Sequence, residues 1–211
     1  MKKYLAEFFG TFILVFVGTG SAIVNEVTKG IITHTGVAIT FGLIVMVIIF
    51  VFGEKSGAHI NPAVTIAFSI QKVFPANQVF PYICSQLAGA LSASLLLRYL
   101  FPASIFLGST LPAGAPMQSL ILETVLMFIL MLTILHVAEN GKEKGLLPGI
   151  AIGAVVLVEA MFAGPISGAS MNPARSLAPA IVSGQLQYFW IYIVAPLSGG
   201  IIAVFVYRLI K

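Results

Sequence analysis

Charge is scarce in this sequence. Only 9% of its 211 residues are Asp, Glu, Lys or Arg, where a soluble domain carries roughly 25%. So few charges cannot clothe a water-facing surface, which excludes an ordinary soluble enzyme or binding module. Cysteine is nearly missing as well. Cys84 stands alone in an apolar stretch, so no disulfide can form within the chain and the residue reads as a small packing side chain. The net charge of +4 has no basic stripe behind it, so nucleic acid is not expected as a partner. There is no Ser-His-Asp order, phosphate loop or dinucleotide fingerprint. His59 has no second ligand at metal spacing, and His34 and His136 read as end-of-span residues. No catalytic residue, cofactor or metal is expected.

What the chain has in excess is long apolar runs: 59% of it is hydrophobic. Lys2 and Lys3 precede an apolar run of about 20 residues, the length that spans a hydrocarbon core, with no small-residue cleavage site, so it reads as a first span and not a removable signal. Six spans are expected, at about 4–24, 34–53, 79–100, 119–138, 146–163 and 187–208. Two further apolar stretches, about 61–71 and 172–182, are too short to cross.

Those two short stretches open on a repeat. Ser56-Gly57-Ala58-His59-Ile60-Asn61-Pro62-Ala63 returns as Ser167-Gly168-Ala169-Ser170-Met171-Asn172-Pro173-Ala174, with Asn172 lying 111 positions after Asn61. Asn can cap a helix, and Pro fits the first turn because its missing N–H has no intrahelical partner there. Each copy therefore starts a half-helix, and non-helical backbone at membrane depth must be buried in protein or line a wet cavity. Glu7, Phe12, Ile13 and Leu14 match Glu123, Phe128, Ile129 and Leu130, and Gln86-Leu-Ala-Gly89 loosely matches Pro196-Leu-Ser-Gly199. Three spans per half is odd, so the second half inserts upside down. The expected fold is an all-α membrane protein: six transmembrane helices plus two re-entrant half-helices, an inverted repeat of two three-helix halves at about 1–101 and 117–211, forming one domain over 1–211. Glycines recur within the spans at small-xxx-small spacing, which suits close helix packing. Lys2, Lys3, Lys55, Lys72, Lys142, Lys144, Arg208 and Lys211 fall on one side and only Lys29 and Arg98 on the other, so both termini are expected in the cytoplasm of a plasma or inner membrane. The uncharged loop 102–118 is then extracellular.

Two half-helices meeting N-terminus to N-terminus bring together about +0.5 of an elementary charge each. Asn61-Pro62-Ala63 and Asn172-Pro173-Ala174 would mark this midplane, with the Asn amides as donors. A neutral molecule with a lone pair is received there, while a proton or metal ion is repelled. Arg175 follows one turn on, either as a cation-rejecting donor at the mouth or as a tie for the outer loop. Glu7 and Glu123 are open to two readings, a proton or cation relay, or acceptors that hold the re-entrant loops. His59 is a candidate for the lining of the inner half. A passive channel fits these features. A secondary transporter also uses inverted repeats and broken helices, and would need a coupling site from Glu7, Glu123 or Glu159. An intramembrane enzyme lacks a nucleophile–base pair.

The motifs Ala6-Glu7-Phe8-Phe9-Gly10-Thr11, Ser56 through Thr65 and Ser167 through Ser176 closely resemble the aquaporin, or major intrinsic protein, family over nearly the whole chain. The resemblance implies a pore in each protomer, homotetramers in the lipid bilayer, and an outer filter of aromatic and arginine residues. Carried over by spacing, that filter is Phe41, Ala160, Ala169 and Arg175. Strict water channels of the family typically have His where Ala160 stands, so methyl in its place implies a wider, less polar filter. Phe162 through Leu177, with Tyr192-Ile193, is similar to the plant nodulin-like intrinsic proteins. That branch implies passage of water and small uncharged solutes such as glycerol, and in some members metalloid hydroxides. Glycerol facilitators usually carry Asp after the filter arginine, where this chain has Ser176. The expected function is passive flux of water and small neutral solutes, with a strict water channel as the alternative. Glu159 adjoins Ala160, but neighbours on a helix differ by about 100°. It either opposes the pore's positive field or packs against a neighbouring helix.

Overall fold

The structure is a computed structural model that describes residues 1–139 and 146–211. Lys142 and Lys144, two of the charges used above for orientation, lie outside the described residues. Among the described residues every regular element is helical. The first span runs from α1 (Lys2–Ile13) through a π-helical turn (Leu14–Thr19) into α2 (Gly20–Val27). Then follow α3 (Thr33–Ser56), the half-helix α4 (Pro62–Ile70), α5 (Val79–Leu100), α6 (Pro116–Glu139), α7 (Leu146–Ser167), the half-helix α8 (Pro173–Ser183) and α9 (Ile191–Ile210). Six helical spans among the described residues are long and apolar enough to cross a membrane.

α5 has the expected bounds 79–100, and the other spans differ from the sequence reading by up to four residues at one or both ends. Two ends shift by four residues: α9 begins at Ile191 instead of 187, and α7 continues past 163 to Ser167 with Pro165 inside it. Proline has no N–H for the carbonyl four residues back. That carbonyl belongs to Met161, and His34 Nε2 donates to it at 2.9 Å from the start of α3. His34 thus supplies the donor that Pro165 lacks, and the helix survives its proline.

The helices meet in repeated pairs, α1 with α5, α6 with α9, and α3 with α7. Glycine sets the closeness of each crossing. A methyl on Gly89 would strike the Phe8 carbonyl, and one on Gly199 the Thr124 carbonyl. Gly42 and Gly153 abut each other: a Cβ on either would lie 2.6 Å from the other's carbonyl oxygen. In a bilayer, where lipid is as apolar as leucine, such backbone approach is a main source of helix association. Gly199→Ala is therefore expected to destabilise the fold by about 1–3 kcal/mol through overpacking, read as a lower thermal midpoint in detergent. Gly53→Ala, whose new methyl would come no nearer than 3.9 Å to Ile49, should show no such loss.

The outer surface is apolar, with Phe80, Tyr99, Val158 and Phe162 largely exposed. Polar side chains turn inward instead: Glu7, Thr65, Gln86, Ser119 and Glu123 are fully buried. The loop before α6 is tied down by Arg98 Nη1, which donates to the Ser104 carbonyl at 2.6 Å, and by Ser104 Oγ, which donates to Glu26 Oε2 at 2.7 Å.

Candidate functional site

The two repeat loops adopt the same unusual backbone. Gly57, Ala58 and Ile60 have φ of 85°, 45° and 43°, and Gly168, Ala169 and Met171 have 85°, 42° and 54°. For a β-branched residue such as Ile60 this left-handed region is a true outlier, costing on the order of 1–3 kcal/mol. Each loop is fastened to a buried carboxylate. Glu7 Oε1 accepts Ser56 Oγ at 2.7 Å and the His59 N–H at 2.9 Å, while Oε2 accepts the Ile60 N–H at 2.7 Å. Glu123 Oε1 accepts Ser167 Oγ at 2.7 Å and the Ser170 N–H at 2.9 Å, while Oε2 accepts the Met171 N–H at 2.8 Å. The same three loop groups converge on the same carboxylate in both halves.

Asn61 and Asn172 cap α4 and α8 as their sequence suggests. Asn61 Oδ1 accepts the Ala63 N–H at 2.9 Å, and Asn172 Oδ1 those of Ala174 at 3.0 Å and Arg175 at 3.3 Å. Their amides then reach across the molecule. Asn61 Nδ2 donates to the Met171 carbonyl and Asn172 Nδ2 to the Ile60 carbonyl, both at 2.8 Å. The half-helix N-termini are thereby laced together, and both asparagines line a cavity of about 900 Å³. Pro62, Ala63, Pro173 and Ala174 do not line it; they are buried in the first turns behind the asparagines.

The cavity is elongated. Phe41 and Gly53 on α3, and Ala160 and Pro148 on α7, all line it, and twelve residues of helix span roughly 18 Å. Phe41, Ala160, Ala169 and Arg175 are all part of its wall. Arg175 is 5% exposed; its Nη1 donates to the Gly108 carbonyl at 2.9 Å and its guanidinium carbon lies 5.0 Å from the Phe41 ring centroid. Its Nε has no hydrogen-bond partner among the described residues. Val45, Ile49, Ile134, Ile152 and Val156 add apolar lining to these polar groups. His59 lines the cavity too, with Phe68, Phe74 and Tyr82 packed around its ring at centroid distances of 4.9, 4.7 and 5.1 Å. Glu159 does not line it. It is buried, and both its carboxylate oxygens lack a hydrogen-bond partner among the described residues.

The loop-bracing roles of Tyr82, Tyr192 and Gln86 were not read from the sequence. Tyr82 OH donates to the Ser56 carbonyl at 3.0 Å and Tyr192 OH to the Ser167 carbonyl at 2.7 Å, one tyrosine for each loop. They are 110 positions apart, the offset already visible in Gly89 and Gly199. Gln86 Nε2 donates to Glu7 Oε2 at 2.8 Å and to Thr65 Oγ1 at 2.9 Å. Pro196, its counterpart, has no donor to offer. The second loop is braced differently, by Thr110 Oγ1 donating to Ser176 Oγ at 2.7 Å.

Known proteins match this arrangement throughout its length. Residues 1–207 match the family described as Major intrinsic protein. Aquaporin NIP1-1 of Oryza sativa subsp. japonica is 46% identical over 213 residues, covering 100% of this chain and 75% of the relative. Aquaporin NIP1-1 of Zea mays is 45% identical with the same coverage. Among solved structures, the aquaglyceroporin from Plasmodium falciparum superposes with a TM-score of 0.89 at 28% identity, covering 99% of this chain and 96% of that one. With its two laced half-helices, its lined cavity and these relatives, the chain belongs to the major intrinsic protein family and is a membrane channel, not an enzyme.

Proposed function

We propose that this channel passes water together with small uncharged solutes, polyols of glycerol size and metalloid hydroxides among them, and refuses protons and ions. The observation that carries the reading is the company of Arg175: its guanidinium sits over the Phe41 ring, and Ala160 and Ala169, two methyl side chains, line the same cavity. Ala160 puts a methyl group where an imidazole would narrow the opening. A polyol can lay its carbon edge on the Phe41 ring while the arginine donates to its hydroxyls. The converging N-termini of α4 and α8 make the midplane electropositive, and Glu7 and Glu123 are occupied by loop donors, so neither offers a free carboxylate to a coupling ion. Asn61 and Asn172 act as the midplane donors, Pro62, Ala63, Pro173 and Ala174 as the helix starts that aim them, and His59 as part of the inner wall. Both termini are cytoplasmic, on the loop charges, in the plasma or inner membrane. Residues 1–101 and 117–211 are inverted halves of one channel domain, and the exposed apolar surface accommodates lipid and the neighbours of a homotetramer.

The test is stopped-flow light scattering on proteoliposomes under osmotic and solute gradients. Water, glycerol and a metalloid hydroxide should all cross passively. Water flux alone would favour a strict water channel, and accumulation of solute driven by a proton or sodium gradient would defeat the channel reading. Ala160→His should lower glycerol flux about tenfold more than water flux, the discrimination that a small change of pocket volume commonly brings. Equal losses would remove Ala160 from the filter.

A further inference from the structure

The first span departs from regular α-helix only over Leu14–Thr19, where it winds as a π-helical turn. Such turns are rare and cluster at functional sites. This one lies directly behind the wall that holds Phe41. Gly18 within it is buried against the Phe41 ring, so that a Cβ built there would stand 2.6 Å from Phe41 Cδ1 and 2.9 Å from Cζ. No real contact is that short, so any side chain at 18 must displace the ring. The ring is a cavity-lining group and also stacks with Arg175. Displacement away from the first span therefore carries it toward the opening. The neighbouring residue acts on the same surroundings: a Cβ on Gly108, whose carbonyl holds Arg175, would lie 2.5 Å from Thr19 Cγ2.

The internal repeat supplies a control within the molecule. By the spacing that pairs Leu14 with Leu130, Gly18 corresponds to Ile134; by the spacing that pairs Asn61 with Asn172, Phe41 corresponds to Ile152. Ile134 and Ile152 both line the cavity, whereas Gly18 does not. One half thus puts two medium side chains where the other puts a large ring and a hydrogen atom. The volume that would belong to residue 18 has been given to the ring of residue 41.

We propose that Gly18 is a specificity-determining residue: its missing side chain is the recess into which Phe41 withdraws, and the bulk at position 18 sets how far the ring projects into the solute path. This rests on the reading of Phe41 as part of the filter. Proteoliposomes bearing the wild type, Gly18→Ala, Phe41→Ala and the double variant separate the two. Gly18→Ala should lower the glycerol-to-water permeability ratio about tenfold, the scale of one methyl group at a fitted pocket. In the Phe41→Ala background the same substitution should leave the ratio unchanged. A ratio unaffected by Phe41→Ala overturns the filter reading and this inference with it. A ratio that responds to Phe41→Ala but not to Gly18→Ala overturns this inference alone, as does an equal effect of Gly18→Ala in both backgrounds. Gly18→Ser, whose hydroxyl can bond back to the preceding turn, provides the same readout if the alanine variant does not reconstitute.

Discussion

Glu123→Leu abolishes measurable water flux, and the protein unfolds well below the wild-type temperature in detergent. This is the largest effect expected of any single substitution. The Glu123 carboxylate receives Ser167 Oγ and the Ser170 and Met171 N–H groups, all of them buried. Leucine fills the volume and accepts nothing. Each buried donor left unpaired costs about 1–3 kcal/mol, and the left-handed residues Ala169 and Met171 lose the restraint that keeps them there. Three such donors together approach the whole stability of a typical domain, about 5–15 kcal/mol. Glu123→Gln should fall between, since it keeps one acceptor oxygen but turns an NH₂ toward groups that are themselves donors. Paired measurement of flux and thermal midpoint decides the matter: wild-type flux in Glu123→Leu would mean that the loop holds its own shape.

Arg175→Val should turn the channel into one that leaks cations, seen as a proton or sodium current across a vesicle membrane where the wild type shows none. A unit charge about 4 Å from a passing cation raises its energy by about 4 kcal/mol at an effective dielectric of 20. Removing that charge raises passage by roughly a thousandfold, since each 1.4 kcal/mol is about tenfold. The remaining barrier is the pair of half-helix N-termini, so exclusion should weaken without vanishing. Valine also leaves the Gly108 carbonyl without its donor and the Phe41 ring without its cation. Water flux should persist. Unchanged ion tightness would assign exclusion to the midplane alone.

The length of each apolar run made the six spans readable, because span length is dictated by bilayer thickness and not by tertiary contacts. The half-helices were readable for a related reason: Asn-Pro-Ala is a local instruction, and both copies fold as it prescribes. Glu7 and Glu123 were conspicuous because a carboxylate in apolar sequence must find donors somewhere. Tyr82, Tyr192 and Gln86 were not, since a tyrosine or glutamine in a membrane helix has many possible uses and its partner lies tens of residues away. Gly18 shows the limit most clearly. In the sequence it is one small residue among many, and only contact with Phe41 distinguishes it. Glu159 was left open between pore and packing; its carboxyl lies off the lining although Ala160, one residue on, is part of it.

The crossed asparagine amides bear on how the molecule comes into being. Asn61 to Met171 and Asn172 to Ile60 join residues more than a hundred positions apart, and contacts of such span form late because the chain between them must be closed first. Neither half holds both partners of either bond. A nascent chain with only its first three spans inserted therefore has no finished passage to leave open. The joint between the two half-helix N-termini can therefore close only once α8 has docked against the first loop.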